Sequence, residues 1–298
     1  MYDIIILGAG PAGISAAIYA VSRGKKTLVL EKGQVGGLIG KVSTVTHYAG
    51  IVAGETGASF AARLKEQALA DGVEIRCEEV TAVDLAGEVK TVTTAQGSYQ
   101  ASRVIVATGS SPRKLGIPGE SELAGRGMGM NAARDGEAYR GKNVYVVGGA
   151  DGAVKEALYL STLAREVTII HFEEQLGCIA QFRNKVAQTP NLKVRLGTRL
   201  GAVRGSECVE ELDLVSEADG SVETIRDSGC GVFVYAGTVP NTQLFTQLTL
   251  EGGYIPTGEN METALPGVYA VGDVRCKGVR QVATAVSDGT LAAIHAAR

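Results

Sequence analysis

The sequence has no tryptophan and only five phenylalanines in 298 residues, but the absences that exclude a function class lie elsewhere. There is no surplus of basic charge. Twenty-nine Lys and Arg stand against 32 Asp and Glu, a formal charge of -3, and no basic run supplies the face that nucleic acid or anionic lipid requires. No nucleic-acid partner is expected. Closely spaced cysteines are also missing: the nearest of the five, Cys208 and Cys230, are 22 positions apart. That leaves neither a C-x-x-C pair nor a metal-ligand spacing, so no metal is expected and a reducing compartment suits the thiols. Long apolar runs are absent as well. The opening run ends at Gly8, far short of the roughly 18 residues that span a bilayer, and no basic leader precedes it. The expected location is the cytoplasm, with no membrane association.

What is abundant is glycine, 40 residues without a collagen-like period, which implies many tight turns. A hydrophobic share of 45% excludes intrinsic disorder, and the length favours two domains. Residues 2–7 form an apolar run that meets Gly8, and Ile14, Ala17, Ile18 and Val21 share one helix face. With the run Thr27 to Leu30, closed by Glu31, they predict a β-α-β unit on a buried parallel sheet. A helix is expected over 59–70, an antiparallel meander over 78–100 and a strand over 103–107. The order then repeats, with a strand at 143–147, a glycine turn, a helix over 153–164 and a strand at 167–170. Gly- and Pro-rich stretches flank this repeat, at 111–119 and 237–240. A last strand over 267–273 and a closing helix over 281–297 return to the first domain. The expected fold class is α/β, with two Rossmann-like three-layer domains, the second inserted into the first: 1–112 with 241–298, and 113–240.

Gly8-Ala9-Gly10-Pro11-Ala12-Gly13 is G-x-G-x-x-G between strand and helix. Gly8 permits the turn, Gly10 lets a pyrophosphate approach the backbone, Gly13 lets helix and strand pack, and the helix N-terminus supplies amides and partial positive charge. Glu31, about twenty residues on, would accept the adenosine ribose hydroxyls. The second turn, Gly148-Gly149-Ala150-Asp151-Gly152-Ala153, has a methyl at the close-approach position. It is followed by His171, Phe172, Glu173 and Glu174, which offer no arginine to a 2'-phosphate and carboxylates that would repel one. NADPH is disfavoured. Two readings stay open, an NADH site and a Rossmann-like domain retained for packing.

With these motifs in order, the chain resembles the low-molecular-weight thioredoxin reductases, within the pyridine nucleotide-disulfide oxidoreductases, over essentially its whole length. The resemblance implies an FAD site at Gly8 to Gly13, Glu31, Gly36-Gly37-Leu38, His47, Val80, Ala107-Thr108-Gly109, Gly272-Asp273 and Arg280-Gln281-Val282. In it Asp273 holds the ribityl chain, and Arg280 to Val282 line the flavin and its pyrimidine edge. It also implies a nicotinamide nucleotide in the inserted domain and a homodimer. The sequence departs from the family where the redox C-x-x-C-D-G becomes Asn131-Ala132-Ala133-Arg134-Asp135-Gly136. Neither an amide nor a guanidinium can cycle electrons as a dithiol does. Leu38 replaces a glutamine, and the downstream Asn-aromatic-Pro-Gly reads His47-Tyr48-Ala49-Gly50.

The catalytic residue stays open. The candidates are His47, whose imidazole could donate a hydrogen bond to flavin or substrate; Asp135, at the family's acid position or simply a cap; and Cys276, whose thiol Arg275, Lys277 and Arg280 could activate. Cys178 is read as packing, and His171 and His295 as structural. The leading function is an FAD-dependent oxidoreductase that passes electrons through its flavin without an internal disulfide, from NADH or a reduced protein such as ferredoxin, to a small-molecule or protein partner. The alternatives are a non-catalytic FAD-binding subunit or redox sensor, and a flavoenzyme acting on thiols or disulfides that a partner supplies.

Overall fold

Ile4, Ile5, Ile6 and Leu7 are all buried, because the strand they form is covered on both faces, as a parallel strand between helical layers must be. The computed structural model describes residues 1–129 and 131–298. They fall into two compact units, Met1–Ser111 with Val239–Arg298, and Pro112–Thr238. In the first unit, β1 (Tyr2–Leu7) leads through α1 (Pro11–Val21) to β2 (Thr27–Glu31), and α2 (Gly57–Ala70) leads to β3 (Glu74–Cys77). An antiparallel ribbon follows, β4 (Val80–Asp84), β5 (Lys90–Thr94) and β6 (Gly97–Val106), giving the sheet order β3-β2-β1-β6-β5-β4.

Side chains alternate across this sheet. Ile4, Ile6, Val29 and Ile105 pack with the alanines of α1 on one face, and Ile5, Leu7, Leu28, Leu30, Val104 and Val106 form the opposite core. The sequence predicts a meander and then a separate strand at 103–107, but β6 is one ten-residue strand. No turn residue interrupts it. Its first half pairs antiparallel with β5 and its second half pairs parallel with β1.

The second unit repeats the scheme. Four parallel strands stand in the order Leu192–Arg195, Glu166–Ile170, Asn143–Val147, Gly231–Val234, with Met128–Gly129 at the edge and a separate three-stranded antiparallel sheet over 198–226. Its helix runs Asp151–Leu160 rather than 153–164. The hydroxyls of Ser161 and Thr162 turn back onto the carbonyls of Leu158 and Tyr159 and end it there.

The chain then returns to the first unit. The strand expected over 267–273 is only Val268–Ala270, because Gly272, at φ 74°, turns the backbone into a 3-10 turn, Gly272–Val274. The closing helix, Val282–Ala296, packs on α1 through small residues. A Cβ on Gly289 would lie 2.1 Å from the carbonyl oxygen of Ala12, and the Ser15 hydroxyl donates to the Val286 carbonyl at 2.8 Å. Among the described residues, no helix is long and apolar enough to cross a membrane.

Candidate functional site

The first glycine turn is shaped by contacts that only glycine permits. Gly8 has φ 106°, and a Cβ there would meet the Ala107 carbonyl oxygen at 2.5 Å, while one on Gly13 would meet the Gly8 oxygen at 2.0 Å. Gly10 is different: nothing lies within 4 Å of its Cβ position. It is the N-cap of α1, with Pro11 next and no side chain capping the helix. The first-turn amides, uncapped by any side chain, carry the positive end of the helix dipole beside the open space at Gly10. Glu31 closes the turn from the strand end, taking the Ala9 amide on Oε2 at 2.8 Å and the Gly33 amide on Oε1 at 2.9 Å.

Other expected residues gather in the same unit. The Gly36 amide donates to the Ala9 carbonyl at 2.9 Å, a Cβ on Gly37 would lie 3.4 Å from Gly10 Cα, and Leu38 is half-buried in the 3-10 turn Gly37–Lys41. Ala107-Thr108-Gly109 is tied to Asn241: the Thr108 hydroxyl donates to the Asn241 carbonyl and the Asn241 side-chain amide to the Thr108 carbonyl, each at 2.8 Å. Asn241 is a residue that sequence reading missed. Gly272 packs against α1, its Cβ position 3.0 Å from Ala12 Cβ. Arg280 lies over the Tyr254 ring at 4.1 Å, its Nε buried and, among the described residues, without a hydrogen-bond partner. The Gln281 amide donates to Thr284 Oγ1 at 3.2 Å ahead of Val282, the first residue of the closing helix. Val80 opens β4, packed against the core of its own face of the sheet.

These residues fit a dinucleotide. An uncapped helix N-terminus with an open glycine, a carboxylate at the neighbouring strand end and an orphaned guanidinium nitrogen supply complementary groups for pyrophosphate, ribose and a carbonyl edge.

The three catalytic candidates are held by local partners. His47 is exposed, its Nδ1 3.0 Å from Thr46 Oγ1. Asp135, in the second unit, closes its own turn: it takes the Asn131 amide at 2.9 Å and a two-point contact from Arg134 at 2.6 and 3.0 Å. Asn131 Oδ1 in turn caps the Arg134 amide at 2.9 Å, and the Ala132 amide donates to Tyr235 Oη at 3.2 Å. The stretch expected to hold the family's redox loop is thus a cap closed by its own polar groups, with Tyr235 as a further partner. Cys276 does not meet the expectation of an activated thiol. Burial pushes its thiol up, the Glu251 charge adds to this, and Arg280 and Arg275 oppose it without prevailing. Lys277, the third expected activator, donates instead to Asp288.

The second turn has the same backbone and a different lining. Gly148, at φ 129°, would carry a Cβ 2.5 Å from the Tyr235 carbonyl oxygen. Gly149 is pressed by an imidazole, a Cβ there meeting His171 Cδ2 at 2.4 Å. Ala150 is the N-cap, without a side-chain cap. Asp151 Oδ1 accepts the Ile179 amide at 2.8 Å, and Ala153 is buried. Hydrogen bonds match the two units: the Gly8 amide donates to the Leu30 carbonyl and the Gly148 amide to the Ile170 carbonyl. His171 therefore stands where Glu31 stands in the first unit. Its Nε2 lies 3.1 Å from Glu173 Oε2, its Nδ1 is buried and without a partner among the described residues, and Phe172 is 59% exposed. Cys178 is buried, with its thiol pushed up by desolvation.

The sequence matches the family described as pyridine nucleotide-disulphide oxidoreductase over residues 2–289. It is 42% identical over 298 residues to a thioredoxin reductase of Treponema pallidum (strain Nichols), covering 99% of this chain and 96% of that protein. Identity to a thioredoxin reductase of Peptoclostridium acidaminophilum is 38% over 302 residues, with the same two coverages. The crystal structure of Lactococcus lactis thioredoxin reductase aligns with a TM-score of 0.95 at 33% identity, covering 99% of this chain and 98% of that one.

Proposed function

The chain belongs to the pyridine nucleotide-disulphide oxidoreductase family, and on that premise we propose that it is a thioredoxin reductase-like, FAD-dependent oxidoreductase that passes electrons through its flavin without an internal redox disulfide. The observation that carries this reading is the open Gly10 position at the uncapped start of α1, beside a carboxylate that already orders the turn. Bound FAD would supply a two-electron carrier. The chain's residues bind and orient it: the α1 amides take pyrophosphate charge, Glu31 the adenosine ribose hydroxyls and Asp273 the ribityl hydroxyls, while the free Nε of Arg280 offers a donor to the pyrimidine edge. A carboxylate oxygen that holds one amide still has a lone pair for a hydroxyl, so Glu31 can do both. At the position of the family's dithiol, Asn131 and Arg134 bring no sulfur. The electron acceptor is therefore a small molecule or protein from outside the chain.

We place the donor site at Gly148 to Ala153, with NADH preferred to NADPH, since Glu173 and Glu174 repel a 2'-phosphate and Arg195, on the neighbouring strand, is engaged by Glu223. A second reading, a reduced protein such as ferredoxin as donor, draws on the Ala150 methyl and the His171 ring, which narrow that turn. Anaerobic stopped-flow absorbance separates these readings. Fast bleaching by NADH and slow or no bleaching by NADPH is the expected result. Bleaching by reduced ferredoxin alone would overturn the nicotinamide site, and an unreduced flavin with every donor would leave a flavin-binding subunit that does not turn over.

A further inference from the structure

Asp288 lies on the buried face of the closing helix, its side chain 7% exposed. Its carboxylate takes the Gly272 amide at 3.0 Å, Arg275 Nε and Nη2 at 3.0 and 3.3 Å, and Lys277 Nζ at 3.0 Å. Arg275 is fixed further by Thr257 Oγ1 at 3.0 Å, and Lys277 by Thr284 Oγ1 at 3.2 Å. Two cations, their side chains 16% and 8% exposed, thus share one buried carboxylate, and a surplus charge so far from solvent needs a second counter-ion. The nearest is Asp273, whose Oδ1 is 4.0 Å from Lys277 Nζ and whose side chain, at 32% exposure, is the most open of the four. Burial pushes the Asp273 carboxyl up, as does the Asp288 charge, while Lys277 and Arg280 pull it down. The turn carrying Asp273 packs on the first turn of α1, so a ligand that sets its pyrophosphate on that helix presents its neighbouring groups to Asp273.

We infer that Lys277, held in place by Asp288, is a positioning residue that keeps Asp273 an ionised acceptor for the polyhydroxyl chain of FAD. This rests on the reading that FAD binds the first unit. An ionised carboxylate accepts hydroxyl bonds on both oxygens, and such charge-assisted bonds are about twice as strong as neutral ones. The charge of Lys277 opposes the burial that pushes this carboxyl up.

The test uses full-length apoprotein carrying Lys277→Gln, which keeps a donor but removes the charge, and Lys277→Arg, which keeps the charge. FAD and ADP are each titrated between pH 5.5 and 8. ADP reports on the α1 and Glu31 end alone. Lys277→Gln is expected to weaken FAD about tenfold at pH 5.5 and less at pH 8, since a carboxyl raised by burial is more fully ionised at the higher pH, with ADP binding unchanged and Lys277→Arg close to wild type. Asp273→Asn combined with Lys277→Gln is expected to bind FAD no worse than Asp273→Asn alone. If Lys277→Gln is not folded, Lys277→Met, which keeps the apolar stem, takes its place. FAD affinity equal to wild type at every pH, equal losses for FAD and ADP, or additive effects in the double variant would each overturn the inference. Wild-type apoprotein that binds neither FAD nor ADP would overturn the cofactor reading instead.

Discussion

Gly8–Gly13 and Gly148–Ala153 follow buried parallel strands whose last amides meet the neighbouring strand in the same register. Both turns begin on a positive-φ glycine pressed against a carbonyl, of Ala107 in one and Tyr235 in the other. They diverge at the positions a ligand would touch. The first has open space at Gly10 and a carboxylate at Glu31; the second has a methyl at Ala150 and the His171 ring where a carboxylate stands in the first. Shared backbone geometry therefore shows a common architecture, while the lining decides how readily each turn takes a dinucleotide.

The comparison breaks hardest at Gly10. Because its Cβ position is empty, Gly10→Val is expected to fold normally and lose FAD by more than about 100-fold, read as flavin absorbance per protein after gel filtration. A fully yellow variant would show that this turn is not the cofactor site. Next comes Gly13→Ala, whose methyl meets the Gly8 oxygen at 2.0 Å; a loss of about 2–4 kcal/mol is expected in denaturant unfolding. The matched Ala153 already carries that methyl, so Ala153→Gly is expected to shift the second unit far less. Ala150→Gly sharpens the contrast from the other side. Removing the methyl is expected to lower the KM for NADH about tenfold in steady-state assays, and an unchanged KM would exonerate it. The smallest effect is expected for Glu173→Gln, with discrimination against NADPH narrowing about threefold at low salt, since an exposed charge acts weakly through solvent.

Much of this was legible in the residues. The first turn could be read because glycine spacing, a flanking strand and helix and a following acid each have a mechanical reason. The match between His171 and Glu31 could not, because strand register is fixed by ladder hydrogen bonds rather than by composition. Read linearly, Glu173 and Glu174 look like the strand-end acids, yet the strand stops at Ile170. The Asp288 cluster carried a fainter signal, an acid on the small-residue face of the closing helix, shared with Ala285 and Ala292. Its partners Arg275 and Lys277 sit across a turn that sequence reading drew as strand. Asn241 gave no local signal at all, lying 133 positions from Thr108.

The closing helix completes a surface begun at the other end of the chain, with Ser15 and Thr290 meeting across 275 positions. During synthesis, the alanine face of α1 leaves the ribosome long before the segment that covers it. At about 5–20 residues per second that interval is on the order of 15–55 s. The second unit, continuous in sequence, can form within it, so the inserted unit is expected to mature first on the ribosome while the first stays unfinished until the closing helix emerges.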